Sequence, residues 1–176
     1  MNLKTLTHTE NYINDEHRYG AHNYHPLPVV LNRGEGIFLW DVEGKKYVDF
    51  LSAYSAVNQG HSNPKIINAL TDQAQQLALT SRAFYNDKFS QFAKMATVQF
   101  GFDMMLPMNT GAEAVETAIK LARKWGYQKK GVSENQAEIV VCENNFHGRT
   151  TTIVSFSSDT VAQNDFGPFT PGFLRI

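Results

Sequence analysis

Hydrophobic positions change their spacing several times along the chain, and each change marks an element. Residues 1–35 are polar and rich in His and Tyr, with a Pro-Leu-Pro kink at 26–28; they read as an arm with one short helix near residues 9–18. Aromatic and β-branched runs at 36–41 and 46–50 flank Val-Glu-Gly-Lys at 42–45, which predicts a β-hairpin. A helix starts near Pro64. Ser62 or Asn63 can cap it, Pro suits its first turn because the missing N–H would be unpaired there, and Ile66, Ile67, Leu70, Ala74, Leu77 and Ala78 recur at helical spacing. The next helix is capped by Asn86 or Asp87 and ends at Gly101; its stripe of Phe89, Phe92, Ala93, Ala96 and Phe100 is expected in the core.

Beyond Gly101 the pattern shifts. A short apolar run at 104–108 reads as a strand, a loop at 109–112 follows, and a strong helix over 113–125 places Val115, Ala118, Ile119, Ala122 and Trp125 on one face. Residues 138–142 are continuously apolar, the mark of a strand buried on both faces, which makes Cys142 a core residue. A second loop at 143–149 leads to a Thr- and Ser-rich segment expected as helix. Residues 173–176 read as the start of a further strand. Strand, loop and helix in this repeated order predict an α/β fold, with a parallel or mixed sheet flanked by helices.

Composition narrows the possibilities. With 176 residues, 42% hydrophobic and 12% aromatic, the chain can build a core and forms one domain, or one and part of another. Lys plus Arg number 16 and Asp plus Glu 17, a net charge of −1, which argues against a nucleic-acid grip or a polybasic membrane patch. Cys142 is the sole cysteine, so there is no internal disulfide and no cysteine cluster for zinc. The histidines do not fall at metal-ligand spacings, and no metal site is expected. No apolar stretch is long enough to span a bilayer. Residues 1–10 lack both the apolar run of a signal peptide and the Arg-rich character of a transit peptide, so a cytoplasmic location is expected. The chain ends on an apolar segment without a polar tail, which reads as a truncation.

Ligands of open α/β sheets bind beyond the carboxyl ends of the strands, where the loops at 109–112 and 143–149 fall. Gly111 lets the backbone approach a ligand closely, and the N–H groups of Gly111, Ala112 and Glu113 would face outward at the positive end of a helix, a fit for phosphate. Thr110 and Glu113 also have capping-box spacing, which alone would account for both. Neither G-x-x-x-x-G-K-[ST] nor a G-x-G-x-x-G after a strand occurs, against a P-loop kinase and a dinucleotide-binding domain. In the second loop, Arg149 suits bidentate carboxylate recognition and Phe146, beside His147, could stack on a flat cofactor. A surface Arg and a core Phe would be the plainer account of that loop.

Several motifs join these pieces: Y-G-A-H-N-Y-H-P-L-P-V at 19–29, L-W-D-V-E-G at 39–44, Y-S-A-V-N-Q-G-H at 54–61, L-T-S-R-A-F-Y-N at 79–86, P-M-N-T-G-A-E-A at 107–114, K-L-A-R-K-W-G at 120–126 and F-H-G-R-T at 146–150. Together they resemble the class III, pyridoxal-phosphate-dependent aminotransferases over residues 19–173. The first and third point within that family to members acting on the δ-amine of ornithine. The resemblance implies a fold-type I architecture, with residues 1–50 as an N-terminal arm and hairpin of a small domain and 51–176 as the first part of the large cofactor-binding domain. It implies that Thr110, Gly111 and Ala112 hold the cofactor phosphate, that Phe146 stacks on the pyridine ring, and that Arg149 pairs with a substrate carboxylate. Tyr24 would position the α-group end of the amino acid and Tyr54 would shape specificity. The implied reaction takes ornithine and 2-oxoglutarate to glutamate 5-semialdehyde and glutamate, in a homodimer. The family's Schiff-base lysine, its pyridine-nitrogen aspartate and a phosphate contact from the neighbouring subunit are expected in the second half of such proteins. Lys120 and Lys124 lie outside that motif, no catalytic residue is assigned, and the chain by itself is expected to be inactive. Acetylornithine or another ω-amino acid is the alternative substrate; a non-catalytic assembly fragment is the alternative from another class.

Overall fold

A computed structural model describes residues 7–176. The leader expectation, which rests on residues 1–10, falls largely on residues 1–6 and lies outside the described residues. The chain divides into two compact units, one ending at Tyr85 and one beginning at Asn86.

The first unit opens with helix α1 (His8–Tyr19), at the expected place. Thr7 and Glu10 close a reciprocal capping box: Thr7 Oγ1 accepts the Glu10 N–H at 3.1 Å, and Glu10 Oε2 accepts the Thr7 N–H at 2.8 Å. A three-stranded antiparallel sheet follows, β1 (Leu31–Glu35), β2 (Phe38–Asp41) and β3 (Lys46–Val48), in the order β1-β2-β3. The β2–β3 hairpin is the one its alternation predicts. β1 is additional: its sequence, Leu-Asn-Arg-Gly-Glu, carries little strand propensity, and it joins the sheet through the turn at Gly36, where φ is +57°. Cations cover the half-buried aromatic rings of β2. Arg33 lies 4.0 Å from the Trp40 ring centroid and Lys46 Nζ 3.4 Å from that of Phe38.

Asp41 closes the hairpin turn. Its Oδ1 accepts the N–H groups of Glu43 and Lys45 at 3.0 and 2.8 Å, and its Oδ2 accepts the Tyr47 hydroxyl at 2.7 Å. The Tyr47 hydroxyl, helped by the Lys45 and Glu43 amides and opposed by desolvation, holds the carboxyl below its ordinary range. After the sheet come a single turn, α2 (Ser52–Ser55), and helix α3 (Pro64–Gln76), which Asn63 caps by accepting the Lys65 N–H at 3.0 Å.

The second unit contains α4 (Asp87–Phe100), α5 (Gly111–Lys129), β4 (Ile139–Val141), α6 (Thr151–Val154), α7 (Thr160–Gln163) and β5 (Phe173–Arg175). Asn86 caps α4, and Gly101 ends it in the left-handed region at φ +72°. β4 and β5 pair in parallel, as an α/β fold requires. The core lies where α5, the α6 turn and this sheet meet: Ile119, Ile153 and Phe156, with Val115, Ile139, Val141 and Phe173 packed around them and the Phe156 and Phe173 rings 4.6 Å apart.

Four expectations are corrected. The run at 104–108 is not a strand among the described residues; Met104 and Leu106 are exposed, and parallel pairing joins β4 to β5 instead. β4 is covered on one face only: Ile139 and Val141 meet the core, whereas Val140 is 57% exposed. Cys142, just past β4, is exposed rather than core. The phenylalanine stripe of α4 is not core either, with Phe92 at 49% and Phe100 at 71% exposed. Periodicity states which residues share a face, not whether another element covers it.

Candidate active site

The first turn of α5 is organised by its own residues. Thr110, in extended conformation, accepts the Glu113 N–H on Oγ1 at 3.1 Å, and the Glu113 carboxylate accepts the Asn109 N–H at 2.8 Å. The Ala114 N–H reaches the Thr110 carbonyl at 3.1 Å. These bonds use the donors of Glu113 and Ala114. They leave the N–H groups of Gly111 and Ala112 at the open, positive end of a 19-residue helix. A Cβ placed on Gly111 would meet no protein atom outside its own stretch of chain within 4 Å.

The loop at 143–149 is tied to neighbouring segments by three hydrogen bonds, and two further contacts place it and Thr150 against α5. Asn145 Nδ2 donates to the carbonyls of Cys142 and Phe156 at 2.6 and 3.1 Å, and the Asn144 N–H donates to Ser158 Oγ at 2.8 Å. Gly148, at φ +122°, lies directly against Ala112; a Cβ there would come 2.9 Å from the Ala112 Cβ. Thr150 Oγ1 donates to Glu116 Oε1, one turn further along α5. Cradle and loop are therefore neighbours on one end of one unit. The Phe146 ring is 75% exposed, and Arg149, next to Gly148, is exposed as well. The exposed Phe146 is not the core filler of the plainer account of this loop, whereas an exposed Arg149 fits that account as well as carboxylate recognition.

Of the expected site residues, Thr110, Gly111, Ala112, Phe146 and Arg149 thus fall on two adjoining loops of the second unit. Tyr24 and Tyr54 belong to the first. Tyr24 is 62% exposed in the irregular stretch after α1. Tyr54 is 88% exposed on α2, whose residues Ser52, Ala53, Tyr54 and Ser55 have φ of +49, +47, +56 and +69°. Left-handed backbone costs a non-glycine residue roughly 1–2 kcal/mol, so this turn needs outside support. Asp49 supplies it, accepting the N–H groups of Leu51 and Ser52 and pairing with His61. The Ser52 amide first, then the His61 ring and the Leu51 amide, hold its carboxyl below the ordinary range.

Sequence reasoning missed Asp49, His61, Glu116, Thr150 and Asn145. Their partners lie from 2 to 34 positions away, and no local pattern reports the longer pairings. No group of three or more His, Cys, Asp or Glu suited to a metal ion occurs among the described residues. A shallow concavity lined by Lys120, Arg123, Lys124 and Tyr127 runs along the C-terminal half of α5, two or more turns from the cradle.

Comparison with known proteins gives the family. The family described as aminotransferase class-III matches residues 19–176. Ornithine aminotransferase of Drosophila ananassae, named as mitochondrial, is 63% identical over 92% of this chain and 37% of its own length. Ornithine aminotransferase of Brevibacillus brevis is 58% identical over 97% of the chain and 43% of its own. A crystal structure of the Toxoplasma gondii ornithine aminotransferase superposes with a TM-score of 0.94 at 44% identity, over 98% of this chain and 41% of that one. A structure named as the acetylornithine aminotransferase of Elizabethkingia anophelis gives a TM-score of 0.80 at 68% identity, over 96% and 40%. The chain belongs to the class III aminotransferase family. It spans about two-fifths of the length of the relatives it matches, 37% and 43% in the two sequences above.

Proposed function

We propose that the whole protein is a pyridoxal-phosphate-dependent transaminase that moves the δ-amino group of ornithine to 2-oxoglutarate, and that this chain supplies part of its cofactor and substrate sites. The observation that carries the reading is the seating of Gly148 on Ala112, which brings the loop bearing Phe146 and Arg149 against the first turn of α5. The residues fit the cofactor. Two free-facing amides and a helix dipole suit a phosphate dianion. The Thr110 hydroxyl can donate its hydrogen to that phosphate while its oxygen keeps the Glu113 N–H. An exposed aromatic ring suits the face of a pyridine.

The bound cofactor would supply the electron sink for amino-group transfer. This chain's residues bind and orient. Arg149 takes the α-carboxylate by a bidentate pair. Tyr24, together with Arg149, fixes the α-end of the amino acid, so that the distal amine rather than the α-amine is presented for reaction, and Tyr54 shapes specificity for ornithine. No lysine here is assigned the Schiff-base role. The division into a small-domain part, residues 1–50, and a cofactor-domain part, residues 51–176, belongs to this reading, as do a homodimer and a cytoplasmic location. Fractionation of the source cells decides the last, since the Drosophila relative is named as mitochondrial.

A second reading is favoured by one observation, the 68% identity to the protein named as an acetylornithine aminotransferase. Incubation of the full-length protein with pyridoxal phosphate, 2-oxoglutarate and either ornithine or N-acetylornithine separates the two. Glutamate and glutamate 5-semialdehyde from ornithine support the first. Preference for the acetylated donor supports the second, and no turnover of either supports a non-catalytic assembly role.

A further inference from the structure

Four consecutive non-glycine residues in the left-handed region do not hold themselves there. The bonds that fix α2 converge on one carboxylate. Asp49 Oδ1 accepts the Leu51 and Ser52 N–H groups, each at 2.9 Å, and Oδ2 lies 2.6 Å from His61 Nε2. The Asp49 side chain is 9% and that of His61 21% exposed, so the bond between them is partly screened from water, and it is stronger there than in bulk solvent. His61 is itself fixed to the sheet. Its backbone exchanges two hydrogen bonds with Gly36, at 2.8 and 2.9 Å, and its side chain sits where a Cβ on Gly34 would come within 2.8 Å. Asp49 is anchored too, its N–H donating to the Ile37 carbonyl at 2.9 Å. A continuous path therefore runs from the three-stranded sheet, through His61 and Asp49, to the amide of Ser52, two residues before Tyr54.

We propose that Asp49 and His61 are positioning residues for Tyr54: the pair holds Ser52–Ser55 left-handed against the sheet and so sets where the tyrosine stands for the amino-acid donor. Tyr54 is 88% exposed, so its placement comes from the backbone beneath it rather than from packing. The inference rests on the assignment of Tyr54 to donor recognition and adds two residues that act through it.

The test uses the full-length protein and two readouts, amide hydrogen exchange without substrate and steady-state kinetics. Asp49→Ala removes both halves of the clamp; Asp49→Asn keeps an acceptor for the Leu51 and Ser52 amides. Exchange over residues 51–57 should quicken by about tenfold or more in Asp49→Ala while the α5 amides keep their protection. KM for the amino donor should rise about tenfold with kcat within about twofold, and Asp49→Asn should recover most of both. If Asp49→Ala does not fold, His61→Asn carries the same readouts with the carboxylate retained. Unchanged exchange in the clamp variants overturns the clamp, and faster exchange with an unchanged donor KM overturns the positioning. A wild-type protein that accepts no ω-amino acid refutes the assignment of Tyr54 instead, and the clamp then stands or falls on exchange alone.

Discussion

Gly148 and Ala112 touch so closely that a Cβ on the glycine would stand 2.9 Å from the Cβ of the alanine. The contact joins the loop bearing Phe146 and Arg149 to the helix end bearing Gly111. Gly148 also sits at φ +122°, a conformation that L-residues rarely adopt. Gly148→Ala should therefore cost about 1–3 kcal/mol and weaken binding of pyridoxal phosphate. Urea unfolding and a spectroscopic titration of the full-length protein check both. Unaltered cofactor affinity in a destabilised variant would separate the contact from the site.

Gly111 gives the complementary case. A Cβ there meets no protein atom within 4 Å, and alanine is the better helix former. Gly111→Ala should leave Tm unchanged or raise it. An added methyl on this residue would crowd a phosphate held by its own amide, so cofactor affinity should fall about tenfold, a loss of about 1.4 kcal/mol of binding. Equal affinity in mutant and wild type would remove the phosphate from this helix end.

Thr150 links the two loops a second time, donating to Glu116 and accepting the Ile153 N–H at 3.4 Å as the cap of α6. Thr150→Val should lose both bonds and destabilise the protein by about 1–2 kcal/mol. Thr150→Ser should restore most of that loss. Chemical denaturation of the pair of variants measures it, and equal loss in both would show that the hydroxyl is not what matters.

Acid should weaken the hairpin. The Asp41 carboxyl is held below its ordinary range chiefly by the Tyr47 hydroxyl, so its contribution is complete above the unfolded-state value of about 3.9 and fades as pH falls through the lower folded value. The stability difference between wild type and Asp41→Asn should be widest near neutrality and shrink below about pH 4. Unfolding midpoints at several pH values report it; a gap that widens on acidification would contradict the sign.

Some of this architecture can be read along the chain and some cannot. The start of α3 is legible because Asn63 and Pro64 act locally, one as an acceptor for Lys65 and the other through its own ring. The end of α4 is legible because Gly101 alone supplies the left-handed residue. β1 is not, because its pairing with β2 comes from a turn and not from its own composition. The exposure of Val140 and Phe92 is not, because coverage depends on distant segments. In the site, Gly111 announces an open helix end by its residue type. The contact of Gly148 with Ala112 spans 36 positions and the Asp49–His61 pair 12, and neither has a local signature.

A crystal structure of the full-length protein with pyridoxal phosphate tests the central claim most directly. The account predicts phosphate oxygens within about 2.7–3.2 Å of the Gly111 and Ala112 nitrogens, with the Phe146 ring across the pyridine face. A phosphate bound elsewhere, with those two amides facing only water, would contradict it.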